Sequence, residues 1–138
     1  MSEITILRKP AEEMDDLDQK FDLVYLDPPF GLQRDFNMVE KDGREKGFSD
    51  SWKSFDDYID WYAEILNKCY SRLGDHGWIY AHNNFIGNAL VLSKVNSTVR
   101  DSFYTNISWK RSGPKNNIKN GWGNICLLYT SDAADDIR

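Results

Sequence analysis

The spacing of apolar and polar positions divides the chain into short apolar runs and one long amphipathic segment. Phe21 to Leu26 (FDLVYL) is mostly apolar, with β-branched and aromatic members, and is halted by Pro28 and Pro29. It predicts a buried parallel strand. From Leu32 to Ser51 the chain is polar, holds Gly43 and Gly47 among mixed charges and shows no sustained period, which predicts a mobile loop. Ser54 then offers a helix N-cap, and Phe55, Tyr58, Ile59, Tyr62, Ile65, Leu66, Cys69 and Leu73 recur at three- and four-residue steps until Gly74. An amphipathic helix with both ends marked is predicted there. After the turn Gly74-Asp75-His76-Gly77, Trp78 to Ala81 predicts a second strand, Phe85 to Val95 a less regular helix, and Phe103 to Trp109 a third strand. Ile4 to Leu7 would add a short edge strand. Strands alternating with helices predict an α/β fold, a mostly parallel sheet with flanking helices.

Composition narrows this little. With 138 residues, 41% hydrophobic and 14% aromatic, the chain suits one packed domain. No apolar run reaches the roughly 18 residues of a membrane span, and Met1-Ser2-Glu3 opens no signal region, so a cytoplasmic protein with no membrane partner is expected. Cys69 and Cys126 make neither a disulfide framework nor a zinc-ligand spacing, and no metal is expected. Net charge is −5, which argues against coating nucleic acid by sheer positive charge. Distribution matters more. Acids crowd Glu12 to Asp22 and Asp56 to Glu64, whereas Trp109 to Asn120 holds Lys110, Arg111, Lys115 and Lys119 with no acid among them. A solvated basic loop is the plain reading. Concentration of the cations in one aromatic-flanked stretch favours phosphate contact, with Trp109 either stacking on a base or packing in the core.

The segment Cys126 to Asp136 (CLLYTSDAADD) reads residue for residue as a frame through a transposase-type library adapter. Residues 1–125 are therefore expected to be native and 126–138 to be adapter-encoded. Cys69 is then the only native cysteine.

Asp27 carries the chemistry. It follows the first strand directly, and ligands of open α/β sheets collect at the carboxyl ends of strands. Pro28 and Pro29 hold φ near about −65° and bias the preceding residues toward extended geometry, so the turn cannot begin a helix and absorb its own carbonyls. An exocyclic amino group has two donors, and the Asp27 carboxylate with the Pro28 carbonyl would supply two rigid acceptors. Drawing on both hydrogens localises the nitrogen lone pair. Phe30 offers a flat face for stacking a base, worth ~1–3 kcal/mol. If the electrophile is already activated, as a sulfonium methyl is, orientation does most of the work and no nucleophilic side chain is needed. A base inside a duplex would have to be flipped out to reach such a pocket. The competing reading is that Asp-Pro-Pro merely ends a strand.

The motif Asp27-Pro28-Pro29-Phe30, with FDLVYL before it, Gly31 behind it and the loop, helix, glycine turn and aromatic strand that follow, resembles the N4/N6 (amino) DNA methyltransferase family in its beta-type motif order, as in restriction-modification modification subunits. The resemblance runs from about Phe21 to about Asn120. Leu73 to Tyr80 is similar to the family's helix end, glycine turn and next strand. Asn106 to Arg111, Gly113 and Asn116-Asn117 resemble the segment lining the flipped-base and DNA side of the cleft. Leu127-Leu128-Tyr129 mimics a further family strand, a likeness set aside because the adapter supplies those letters.

The resemblance implies a partial Rossmann-like methyltransferase fold, catalytic roles for Asp27, Pro28, Pro29 and Phe30, and S-adenosyl-L-methionine as cofactor, with Asp27 and Phe30 beside the donor. It implies double-stranded DNA with a flipped target base as partner, and a restriction or specificity subunit as a further one. Adenine N6 is the implied acceptor, with cytosine N4 the alternative. The family's donor-binding glycine motif comes after the catalytic one, and no FxGxG-like segment occurs here. Gly121-Trp122-Gly123 lacks the strand before and the helix after that such a motif requires. The chain is therefore expected to be the catalytic half, inactive alone, or else a non-catalytic nucleic-acid-binding remnant. His82-Asn83-Asn84 reads as a hydrogen-bonded turn in preference to a cleft-lining group, and Tyr58 and Tyr62 read as core.

Overall fold

The first strand, β1 (Phe21–Leu26), ends one residue before the two prolines, as its sequence predicts. The computed structural model describes residues 4–16, 18–31, 34–39, 42–43, 45–108 and 126–131. Beside β1 runs β4 (Leu73–Asn83), parallel to it, with Leu23 opposite Trp78 and Leu26 opposite Ala81. The pairing jumps from Phe21↔Leu73 to Leu23↔Trp78, so the predicted turn Gly74 to Gly77 lies inside the strand as a bulge.

Helix α1 (Phe55–Ser71) begins where Ser54 marks it. The Asp57 amide donates to Ser54 Oγ at 3.1 Å, and Ser54 Oγ donates to Asp57 Oδ2 at 2.8 Å, a reciprocal cap. Its inner face buries Tyr58, Ile59, Tyr62, Ala63, Ile65, Leu66 and Cys69 in one cluster with Ile79 and Ala81 of β4. Each fully buried side chain of this size contributes roughly 1.5–3 kcal/mol, so α1 and β4 form the main stabilising layer.

The predicted loop from Leu32 to Ser51 is corrected. It contains strands β2 (Arg34–Val39) and β3 (Glu45–Asp50), paired antiparallel with Phe36 opposite Phe48. Neither RDFNMV nor EKGFSD sustains a period-two alternation in sequence, but Asp42-Gly43 is a hairpin-turn dipeptide, and Gly43 has the φ of +81° that such turns demand.

Helix α2 (Phe85–Val91) stops short of the predicted Val95, and the chain leaves it through turn bonds such as Ser93 N to Leu90 O. An unpredicted short helix, α3 (Ser97–Asp101), follows, burying Val99. Strand β5 (Phe103–Ser108) is as predicted except that Trp109 lies outside the described residues. The sheet order is β1-β4-β6-β5, with β6 (Cys126–Ser131) antiparallel to both neighbours. The sheet is thus mixed rather than mostly parallel. β1, β4 and β5 share a direction, and the one parallel pairing among the described strands is β1 with β4. The placement of β6 rests on backbone pairing, which any non-proline residue can supply, so it is neutral toward the adapter reading of those residues.

Ile4 to Leu7 forms no strand, and Ile4 and Ile6 are exposed. After it, a 3-10 helix (Ala11–Asp16) is tied to α1: Trp61 Nε1 donates to Glu12, Lys68 Nζ donates to the Glu12 carbonyl at 2.7 Å, and Met14 meets Cys69. Among the described residues no helix is long and apolar enough to cross a membrane.

Candidate active site

The carboxyl end of β1 presents Asp27 to solvent, its side chain 63% exposed, while the three residues after it are partly buried. Strand direction explains the placement. β1 and β4 run parallel, so Leu26 and Ala81 pair and the chains leaving them, Asp27-Pro28-Pro29-Phe30 and His82-Asn83-Asn84, emerge side by side. The two segments meet through a graded set of contacts.

Tyr58, fully buried on α1, donates its hydroxyl to the Pro29 carbonyl at 2.7 Å and accepts from Asn83 Nδ2. Burial pushes the phenol's pKa well up; the Asn83 hydrogen bond opposes this and the charge of Asp50 adds to it. The hydroxyl therefore stays protonated as a donor. Its ring is enclosed by Trp52, Phe55, Trp61 and Tyr62, with centroids 5.5, 5.6, 6.1 and 6.1 Å away. Asn84 both caps α2, accepting from Gly87 N at 2.8 Å, and donates Nδ2 to the Phe30 carbonyl at 3.4 Å. The Asp50 carboxylate, 1% exposed at the end of β3, accepts from the Gly31 amide at 2.7 Å. Gly31 has φ of +66°, and a β-carbon there would lie 2.6 Å from Tyr58 Cδ1. Glycine is required at this position for both reasons.

These clamps leave a specific remainder. The Pro29 and Phe30 carbonyls are occupied, whereas among the described residues none donates to the Pro28 carbonyl. Asp27 Oδ1 receives His82 Nδ1 at 3.1 Å, and no partner of Oδ2 is found among the described residues. The Phe30 ring meets the His82 ring edge-on, centroids 5.7 Å apart and planes at 81°. The turn thus offers one carboxylate oxygen, one backbone carbonyl and an aromatic ring at one strand end. That set suits a planar group with two N–H donors.

Of the predicted site residues, the structure brings Asp27, Pro28, Pro29 and Phe30 together. Trp109, Lys110, Arg111, Lys115 and Lys119 lie outside the described residues. Sequence reading placed Tyr58 in the core, which is right, but missed that its hydroxyl reaches the turn. It missed Asp50 altogether. No local pattern marks that residue, because its partner Gly31 is 19 positions away.

With this geometry in view, the class is that of an amino-group methyltransferase. The family model described as DNA methylase, for N6 and N4 methylation, matches residues 21–130, and the chain belongs to that family. No curated protein matches it.

Proposed function

We propose that this chain carries the acceptor half of a site-specific DNA methyltransferase, within a partial Rossmann-like fold, that transfers a methyl group from S-adenosyl-L-methionine to adenine N6. The observation that carries the reading is the clamped turn: the neighbouring carbonyls are tied down, whereas among the described residues Asp27 Oδ2 and the Pro28 carbonyl, beside Phe30, have no donor. S-adenosyl-L-methionine, when bound, supplies a methyl group already activated on sulfonium. Asp27 and Phe30 stand at the strand end where they would border it.

The chain's own residues handle the base. Asp27 Oδ2 and the Pro28 oxygen accept the two amino hydrogens and draw the nitrogen lone pair out of the ring, and Phe30 stacks on the flipped base. Asp27, largely open to water, also holds the hydrogen that must leave as a proton once the nitrogen is alkylated. Pro29 fixes the turn, held by Tyr58. Lys110, Arg111, Lys115 and Lys119 contact DNA phosphates, and Trp109 flanks the base.

The test is methylation of mixed-sequence duplex DNA by the full-length gene product, with labelled donor and separation of the modified nucleosides. N6-methyladenine is expected, and Asp27→Ala should lower the rate on the order of 100-fold. Full activity in that variant would sink the role given to Asp27. N4-methylcytosine as the product would reassign the acceptor.

A further inference from the structure

We propose that His82 is a positioning residue for the acceptor dyad. It fixes the Asp27 carboxylate so that Oδ2 faces the target amino group. This rests on the methyl-transfer reading above.

The three residues at the end of β4, His82, Asn83 and Asn84, divide the turn between them. Asn83 acts through the Tyr58 hydroxyl on the Pro29 carbonyl, and Asn84 acts on the Phe30 carbonyl. Both hold backbone. His82 alone of the three reaches side chains of the turn itself, and it reaches the two that the chemistry uses: Asp27 Oδ1 at 3.1 Å and the Phe30 ring at 5.7 Å. The burial contrast gives the direction of control. The His82 side chain is 16% exposed and the Asp27 side chain 63%, so the enclosed imidazole restrains the solvated carboxylate rather than the reverse. Asp27 by itself would sample several rotamers. An ionised carboxylate only accepts, so the contact requires hydrogen on Nδ1. With Oδ1 engaged in this way, Oδ2 is directed to the open side.

Two substitutions separate the contacts. His82→Asn keeps a donor at the distance of Nδ1 from the backbone but loses the ring, whereas His82→Phe keeps an aromatic edge against Phe30 and loses the donor. In single-turnover methylation by the full-length gene product, His82→Phe should slow transfer about tenfold with DNA affinity within about twofold, and His82→Asn should recover most of the rate. Long-range proton–nitrogen NMR of the wild-type chain should show the neutral ring with hydrogen on Nδ1, and Asp27→Asn should move that signal.

A wild-type rate in His82→Phe, equal losses in both variants, or hydrogen on Nε2 alone in the neutral ring would each overturn the proposal. If Asp27→Ala retains full activity, the role given to Asp27 in methyl transfer fails instead. The tautomer then still decides whether His82 holds Asp27.

Discussion

Replacing Gly31 by alanine should damage the turn more than any other single-methyl addition to it. The new β-carbon would lie 2.6 Å from Tyr58 Cδ1 and 2.8 Å from Cγ, where carbon atoms settle at about 3.5–4.0 Å, so ring and turn must separate by about 1 Å. The ring cannot retreat. Tyr58 is fully buried among four aromatic neighbours, and its hydroxyl is bonded to both Pro29 and Asn83. Overpacking of this kind costs about 1–3 kcal/mol. The left-handed backbone, φ +66°, adds roughly 1–2 kcal/mol for a residue with a β-carbon. Gly43→Ala is the internal control, because its φ of +81° carries the same backbone penalty while no atom of the described residues lies within 4 Å of the added methyl. Urea unfolding should therefore lower the midpoint for both variants at constant slope, and by clearly more for Gly31→Ala. A displacement of about 1 Å at the turn should also lower the methylation rate on the order of 100-fold in that variant alone. Equal midpoints for the two variants would refute the steric account.

Tyr58→Phe removes the donor to the Pro29 carbonyl and the acceptor of Asn83 Nδ2, a loss of about 1–3 kcal/mol in urea unfolding; an unchanged midpoint would mean that the hydroxyl does not hold the turn. Alkaline pH should destabilise the fold in a defined order. Burial raises the Cys69 thiol from 9.0 to about 11, so the unfolded chain releases this proton first and stability, flat below pH 9, falls as pH rises from 9 towards 11. Tyr58 and Tyr62, both pushed up by burial from 10.0, add to the fall above pH 10. Midpoints measured across this range should show the earlier onset disappear in Cys69→Ala, and a flat profile to pH 11 would contradict the assignment.

Local signals predicted the parts of this molecule that local physics controls. The apolar strand stopped by Pro28 and Pro29, the Ser54 cap and the three-four spacing of α1 all appear where the sequence puts them. Two kinds of feature escaped. The β2–β3 hairpin is held by backbone pairing between two strands whose sequences sustain no period, and only Asp42-Gly43 hinted at it. The reversed strand β6 lies between β4 and β5, an arrangement set by which edges are left to pair rather than by anything in its neighbours in sequence. At the site, the acceptor motif was readable because proline and a strand end constrain a few consecutive residues. Its supports were not, since Asp50, Tyr58 and Asn84 come from three separate elements and meet only after the sheet and α1 have packed. His82 was visible beside a strand end, but its partner could be assigned only once β1 and β4 were in register.

The hydrogen bond between the Gly31 amide and the Asp50 carboxylate closes an excursion of the chain on itself. Everything between those residues, including both hairpin strands, leaves and returns at one point, so its length is uncoupled from the shape of the acceptor turn. Doubling such a closed segment costs only about 0.6 kcal/mol in chain entropy. The hairpin is therefore an exchangeable module: evolution or an engineer can lengthen, shorten or replace it while the turn from Asp27 to Gly31 keeps its shape.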